Sequence, residues 1–222
     1  MLQRHSVRQY LDKPIEKAKI EQLQYCIDEC NRQGGTNLQI VTDEPLAFSG
    51  AIAKYSRFSG VKNYIAVVGR QVDNVALGYY GEQVVLLAQT IGLNTCWVGV
   101  SYTKQPDKYE VRDGEKLACM ISLGYGANQG SAHPQKKGIE NYCTDKRSES
   151  APLPDWFIKG MEAALLAPTA VNQQRFEFQL HDNNIVTAKT RFSLMRTYTL
   201  IDLGIAKCHF EIGANSDNFS WG

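Results

Sequence analysis

The stretch Ala167-Pro168-Thr169-Ala170-Val171-Asn172-Gln173-Gln174-Arg175-Phe176 separates a predicted helix from a predicted strand. The helix is expected over Trp156 to Leu166, and it must end there because Pro168 biases the residue before it away from the helical region. Apolar residues alternate from Phe176 onward, which predicts a strand. The Thr and Asn side chains between these elements can hydrogen-bond to nearby backbone or to a bound ligand. On local features alone, the stretch is either a plain connection or one wall of a binding site.

A second short segment, Arg4-His5-Ser6-Val7-Arg8-Gln9-Tyr10, lies near the other end of the chain. If it is extended, Arg4, Ser6 and Arg8 project to one side, because side chains alternate along extended backbone. Two guanidinium groups beside a hydroxyl group suit an anion such as phosphate. The alternative is a solvated basic segment that holds no ligand.

Both segments resemble motifs of the FMN-dependent nitroreductase family. The late stretch resembles its A-P-S-x-x-N-x-Q-P-W loop, with Arg175 and Phe176 in place of Pro-Trp, and residues 4–10 resemble its R-(R/H)-S-x-(R/K)-x-(F/Y) signature. In that family the early segment holds the phosphate and ribityl chain of FMN, and the loop reaches the same flavin. The resemblance therefore implies these cofactor-binding residues: Arg4, His5, Ser6, Arg8, Pro168, Thr169, Ala170, Asn172 and Gln174.

A long apolar helix is predicted from about Val75 to Ile91. It has hardly any polar face, which indicates burial on most sides. The helix and the following strand resemble the family's central helix and its G-L-G-x-x-W-x-G continuation, with Asn94 where glycine is usual. The resemblance implies that Trp97, Val98 and Gly99 lie against the flavin ring, where a backbone N–H can bond its N5 atom.

The polar, glycine-rich segment from Gly126 to Ser150 is a connection on composition alone. In the family, basic residues that follow the L-G-Y strand end, here residues 123–125, reach the FMN phosphate. Lys136 and Lys137 match those positions. The sequence does not decide which of the two points inward.

The order of the motifs predicts an α+β fold with two unequal halves. The last helix, from Tyr198 to Ala214, also resembles the central helix, including its D-x-G element, whereas the family's loop is missing from its usual place after the first helix. We therefore expect a nitroreductase-like mixed sheet with flanking helices and a long buried central helix, arranged as an internal pseudo-dimer. Residues 1–150 form the half with most of the FMN site, and residues 151–222 form a truncated half that supplies the loop.

Composition argues against several other classes. A formal net charge of +1 with mixed signs argues against a nucleic-acid or membrane surface. The sequence has no apolar run of transmembrane length and no signal-peptide core near its start, so a cytoplasmic location is expected. Six cysteines include no C-x-x-C pair, and Cys26 and Cys30 are interpreted as small buried groups on one helix face. We expect no metal site.

The resemblance implies an oxidoreductase in which NADH or NADPH reduces FMN and a nitroaromatic or quinone-like acceptor reoxidises it, in a ping-pong sequence. No catalytic side chain is expected, because the flavin carries the chemistry. One chain that supplies both sides of the site is expected to be a monomer whose partners are small-molecule electron acceptors. Two alternatives stay open: an FMN-binding storage or sensor protein without turnover, and a flavin-fragmenting or dehalogenating relative.

Overall fold

The computed structural model describes residues 1–132, 138–149, 151–194 and 196–222. Lys136 and Lys137 therefore lie outside the described residues. The helices are α1 (Lys17–Gly34), α2 (Ala51–Tyr55), α3 (Asn74–Thr90), α4 (Asp155–Ala164) and α5 (Arg196–Ala214). The strands are β1 (Asn37–Val41), β2 (Asn63–Gly69), β3 (Asn94–Val98), β4 (Lys116–Gly124), β5 (Cys143–Asp145), β6 (Phe176–Leu180), β7 (Ile185–Thr190) and β8 (Ser220–Trp221).

The first sheet has the order β1-β2-β4-β3, and all its pairs are antiparallel. All seven residues of β2 are buried, as its β-branched apolar run predicts. Because side chains alternate along a strand, Ile65 and Val67 pack into a core with the long helices, whereas Tyr64, Ala66 and Val68 pack into a second core on the other face. The sheet is therefore covered on both faces.

The second sheet has the order β5-β6-β7-β8. The hairpin β6-β7 is antiparallel, whereas β5 and β8 pair in parallel at its two edges. The predicted α+β class is confirmed, with two four-stranded sheets and flanking helices. Sequence reasoning missed β5 and β8 because strands of three and two residues show no periodicity of their own.

The two long helices α3 and α5 cross at a pair of glycines. A Cβ atom added to Gly78 would lie 2.0 Å from the Ile201 carbonyl oxygen, and one added to Gly204 would lie 2.0 Å from the Val75 carbonyl oxygen. The contact is reciprocal, because each glycine lies against the residue that is three positions before the glycine of the other helix. The missing side chains let the two backbones touch at the centre of the molecule.

The second half repeats the element order of the first. The series α1-β1-β2-α3-β3, with the short α2 inserted, recurs as α4-β6-β7-α5-β8. A tryptophan on the last strand of each series bonds a glutamate of the preceding long helix: Trp97 Nε1 donates to Glu82 (2.8 Å), and Trp221 Nε1 donates to Glu211 (3.0 Å). The repetition is thus present in contacts as well as in topology.

All six cysteines carry free thiols, and the Sγ atoms of Cys26 and Cys30 lie 4.0 Å apart on α1. Within the described residues, no cluster of three or more potential metal ligands is present. None of the helices in the described part of the chain has the length and apolar character needed to cross a membrane.

Candidate functional site

The N-terminal arm runs beside β3 and brings Ser6 and Arg8 to the end of that strand. Ser6 forms a parallel bridge with Thr95, and the Val7 N–H donates to the Thr95 carbonyl (3.0 Å). The Val7 side chain is buried in the core, and the Tyr10 hydroxyl donates to the Val7 carbonyl (2.8 Å). Because side chains alternate, Ser6 and Arg8 are left facing away from this core.

Simple alternation predicts that Arg4 lies beside Ser6 and Arg8, and this prediction is wrong. The Arg4 N–H donates to the Met1 carbonyl (3.0 Å), so the chain turns before the extended segment begins. The side chain is buried, and its Nε lies 3.8 Å from Glu82 Oε1. Glu82 also contacts His209 Nε2 (2.8 Å), so Arg4 belongs to a buried polar cluster.

The loop after α4 is held in a strained backbone conformation. Val171, Asn172 and Gln174 have φ values of 47°, 52° and 47°, in the left-handed region that costs energy for a non-glycine residue and most for a β-branched one such as Val171. Its hydrogen bonds explain why the conformation persists. Both carboxylate oxygens of Asp202 accept from the Ala170 N–H (3.0 and 3.1 Å), and the Gln174 N–H donates to Thr169 Oγ1 (3.0 Å).

A cavity of about 460 Å³ lies between the arm, the end of β3 and this loop. Most of the residues predicted for cofactor binding line it: Ser6, Arg8, Trp97, Val98, Gly99, Pro168, Thr169 and Ala170. These residues come from both halves of the sequence, and the fold brings them onto one surface.

Four of the predicted residues are described but do not line the cavity: Arg4, His5, Asn172 and Gln174. Gln174 is 2% exposed and has a local role. Its side-chain amide donates to the Leu165 carbonyl (3.0 Å), and its Oε1 accepts from the Tyr142 hydroxyl (3.2 Å). It therefore anchors the loop from behind.

Within the described residues, the cavity lining has two cationic groups and one carboxyl group. Among the described residues, neither Arg8 nor Arg57 has an ion-pair partner, although the Arg8 guanidinium lies 5.9 Å from the centre of the Phe58 ring. Asp202 is the acidic residue of the lining. Burial raises its pKa to about 7, although the hydrogen bonds from Ala170 and Gln173 favour the ionised form.

Two tyrosines and a thiol are also part of the polar lining. The Tyr198 hydroxyl donates to the Gly99 carbonyl (3.0 Å) and so links α5 to the end of β3. Burial raises the pKa values of Tyr198 and of the Cys96 thiol. Tyr55 also lines the cavity and is exposed at its mouth.

A family model described as "Putative TM nitroreductase" matches residues 1–214. The chain belongs to this nitroreductase family. Membership assigns it to the oxidoreductases and agrees with the motifs at both ends of the cavity. No curated protein matches the chain.

One of the solved structures that resemble this chain shares its fold over nearly the whole length. A "putative nitroreductase" from Thermotoga maritima MSB8 is 20% identical, with a TM-score of 0.65 over 97% of this chain and 82% of that one. An FMN-dependent nitroreductase from Clostridium difficile R20291 is 17% identical, with a TM-score of 0.45 over 59% of this chain and 88% of that one. A "putative NADH oxidase" from Clostridium acetobutylicum is 21% identical, with a TM-score of 0.44 over 63% and 94% of the two chains.

Sequence reasoning missed part of the nitroreductase cavity. Arg57 lies in the connection after α2 with a φ of 66°, and neither its position nor its conformation leaves a sequence signal. Asp202 and Tyr198 come from α5. The D-x-G element that contains Asp202 indicates similarity to the central helix, but a lone carboxylate on an apolar helix does not by itself indicate which cavity it faces.

Proposed function

We propose that the cavity binds FMN and that the protein is an NAD(P)H-dependent oxidoreductase that reduces small acceptors of the nitroaromatic or quinone type. The observation that carries this proposal is the meeting of three predicted segments on one cavity. Residues 6–8 of the arm, residues 97–99 of β3 and its end, and residues 168–170 of the loop are far apart in sequence and line the same space.

The residues present fit a flavin. A volume of about 460 Å³ lies within the range of cofactor pockets, which is roughly 300–1,000 Å³. Apolar side chains of Val98, Val100 and Ile205 and the small residues of the loop provide walls for a planar ring. Arg8 and Arg57 have no ionic partner in the described part of the chain and suit a phosphate group.

Each part of the chain has a separate task in this proposal. Ser6 and Arg8 hold the phosphate end, with Lys136 or Lys137 as a further cation. The end of β3 supports the ring, and Pro168, Thr169 and Ala170 close the opposite wall. When bound, FMN supplies hydride chemistry, for which the protein contributes orientation and electrostatics. NADH or NADPH and the acceptor use the same open side in turn.

The same proposal makes the chain an internal pseudo-dimer. Residues 1–150 supply the arm and the end of β3, and residues 151–222 supply the loop and α5. The repeated element order and the reciprocal glycine contact of α3 and α5 support this division. One FMN per chain follows, because the loop needed to close the site belongs to the same polypeptide.

The test is an anaerobic titration of the FMN-loaded protein with NADH and then with NADPH. The proposal predicts bleaching of the flavin spectrum by at least one of them, and recovery of the spectrum on addition of a quinone or a nitroaromatic compound. Protein that does not bind FMN would overturn the proposal. A bound flavin that neither nucleotide reduces would overturn the reductase assignment and leave the binding role.

A further inference from the structure

We propose that Asp202 takes up a proton when a flavin fills the cavity, so that cofactor binding is linked to pH through this residue. The inference rests on the proposed FMN site and adds to it a group outside the phosphate and ring contacts. Asp202 lies on α5, lines the cavity and is 4% exposed.

The hydrogen bonds of Asp202 compensate its charge only in part. Both oxygens accept from the Ala170 N–H, and Oδ2 also accepts from Gln173 Nε2 (3.2 Å). These neutral donors are weaker partners for a carboxylate than a cation would be. Within the described residues, Asp202 has no ion-pair partner.

Within the described residues, the titratable and charged groups that share the cavity with Asp202 or lie close to it come from five other parts of the fold and from its own helix. Tyr55 of α2 is one of them. Arg8 of the arm, Arg57 of the α2–β2 connection and Cys96 of β3 share the cavity lining with it. Cys119 of β4 lies close enough for the Asp202 charge to raise its pKa further, beyond the effect of burial. Tyr198, near the start of α5, lines the same cavity. Arg8 and Arg57 are the cationic groups in the described part of the cavity lining.

A bound flavin would alter this balance in one direction. The ring displaces water from the cavity, which penalises a carboxylate further. The phosphate brings negative charge and offsets the positive charge of the two arginines in the lining. Reduction adds more negative charge to the site. All of these changes favour the neutral carboxyl group.

The sign of the linkage follows from these changes. In the empty protein, Asp202 has a pKa of about 7, and a filled cavity raises that pKa. Between the two values, the filled site holds more protons than the empty one, so binding takes up protons and affinity falls as pH rises. If the pKa values of Asp202 in the empty and filled sites are well separated, FMN affinity falls about tenfold for each pH unit between them.

The experiment is isothermal titration calorimetry of the apo-protein with FMN near pH 7.5, in two buffers of different ionisation enthalpy. We expect the wild-type protein to take up about half a proton more per FMN than Asp202→Asn, if filling raises the Asp202 pKa by about one unit. The phosphate of FMN also titrates in this range, but it contributes equally to both proteins. Asp107→Asn, an exposed carboxylate outside the lining, is the matched control and should behave like wild type.

Each outcome is decisive. Equal proton uptake by the wild-type protein and Asp202→Asn, with FMN bound to both, would overturn the inference and leave the proposed function intact. Wild-type protein that binds no FMN would overturn the proposed function and this inference with it. If Asp202→Asn does not fold, wild-type protein is titrated with lumiflavin, which lacks a phosphate: proton uptake supports the inference, and its absence overturns it.

Discussion

At the scale of single residues, the two arginines of the arm have different environments and should respond differently to truncation. Arg8 lines the cavity and has no ionic partner among the described residues. Arg8→Ala should therefore weaken FMN binding by about 1.5–3 kcal/mol, or tenfold to a hundredfold, with little change in folding stability. Fluorescence titration of the apo-protein with FMN measures the change in affinity. Arg32→Ala, which removes an exposed guanidinium on α1, is the control and should leave FMN affinity unchanged.

Arg4 should show the opposite behaviour, because its partner Glu82 is fully buried. Arg4→Ala removes the guanidinium group beside that carboxylate and leaves its contacts with His209 and Trp97. Removal of one member of a buried ion pair costs about 3–5 kcal/mol. Urea denaturation of the apo-protein checks this value. A variant as stable as wild type, with weakened FMN binding, would move Arg4 from the core cluster to the phosphate site.

Asp202 should make folding stability depend on pH. Its folded-state pKa of about 7 lies above the ordinary value of 3.8, so its neutral form is favoured by folding. The stability that follows is present below the ordinary value and is lost as pH rises through about 7. Asp202→Asn cannot ionise at this position. The free energy of unfolding of the variant, relative to that of wild type, should therefore increase by about 2–4 kcal/mol as the pH rises from about 5 to about 8. Denaturant unfolding of both proteins at both pH values measures this change. The same difference in unfolding free energy at the two pH values would contradict the raised pKa of Asp202.

The residues that sequence reasoning could predict are those whose role follows from local alternation. Ser6 and Arg8 share a face because the arm is extended beside β3. The positions of Arg4 and Gln174 depend on a terminal turn and on a buried anchor behind the loop, which are tertiary features. Arg57 enters the cavity through a left-handed backbone conformation that its sequence does not indicate.

At the scale of elements, glycine and proline mark the ends of some helices, as Pro168 does for α4. The helix α1 ends at Gly34 and is followed by Gly35 in the left-handed conformation, which is common after the last residue of a helix. The strand β6 follows from the alternation of apolar residues from Phe176 onward. The strands β5 and β8 exist only because the hairpin offers them edges to pair with, so their own residues could not reveal them.

The crossing of α3 and α5 should tolerate no side chain. Gly78→Ala and Gly204→Ala each place a methyl group against backbone at 2.0 Å, so the helices must separate, and each variant should lose about 3 kcal/mol or more. Thermal unfolding compares them with Gly35→Ala. That control has open space around the new Cβ and costs only about 1–2 kcal/mol for its backbone conformation. Alanine variants at the crossing that match wild type would show that the helices pack differently.

At the scale of the whole molecule, the fold places the two sides of one cavity on a single polypeptide. The arm and the end of β3 come from the first half, and the loop and Asp202 come from the second. Because both sides of the site belong to one chain, its FMN affinity should not depend on protein concentration. A two-chain site would instead lose its cofactor on dilution.

The central claim is that one chain forms one complete flavin site. Light scattering of the FMN-loaded protein, combined with a flavin absorbance count, tests it most directly. We expect the mass of a single chain with one FMN, and the same ratio after dilution. A tight dimer in which each flavin is closed by the loop of the other chain would contradict it.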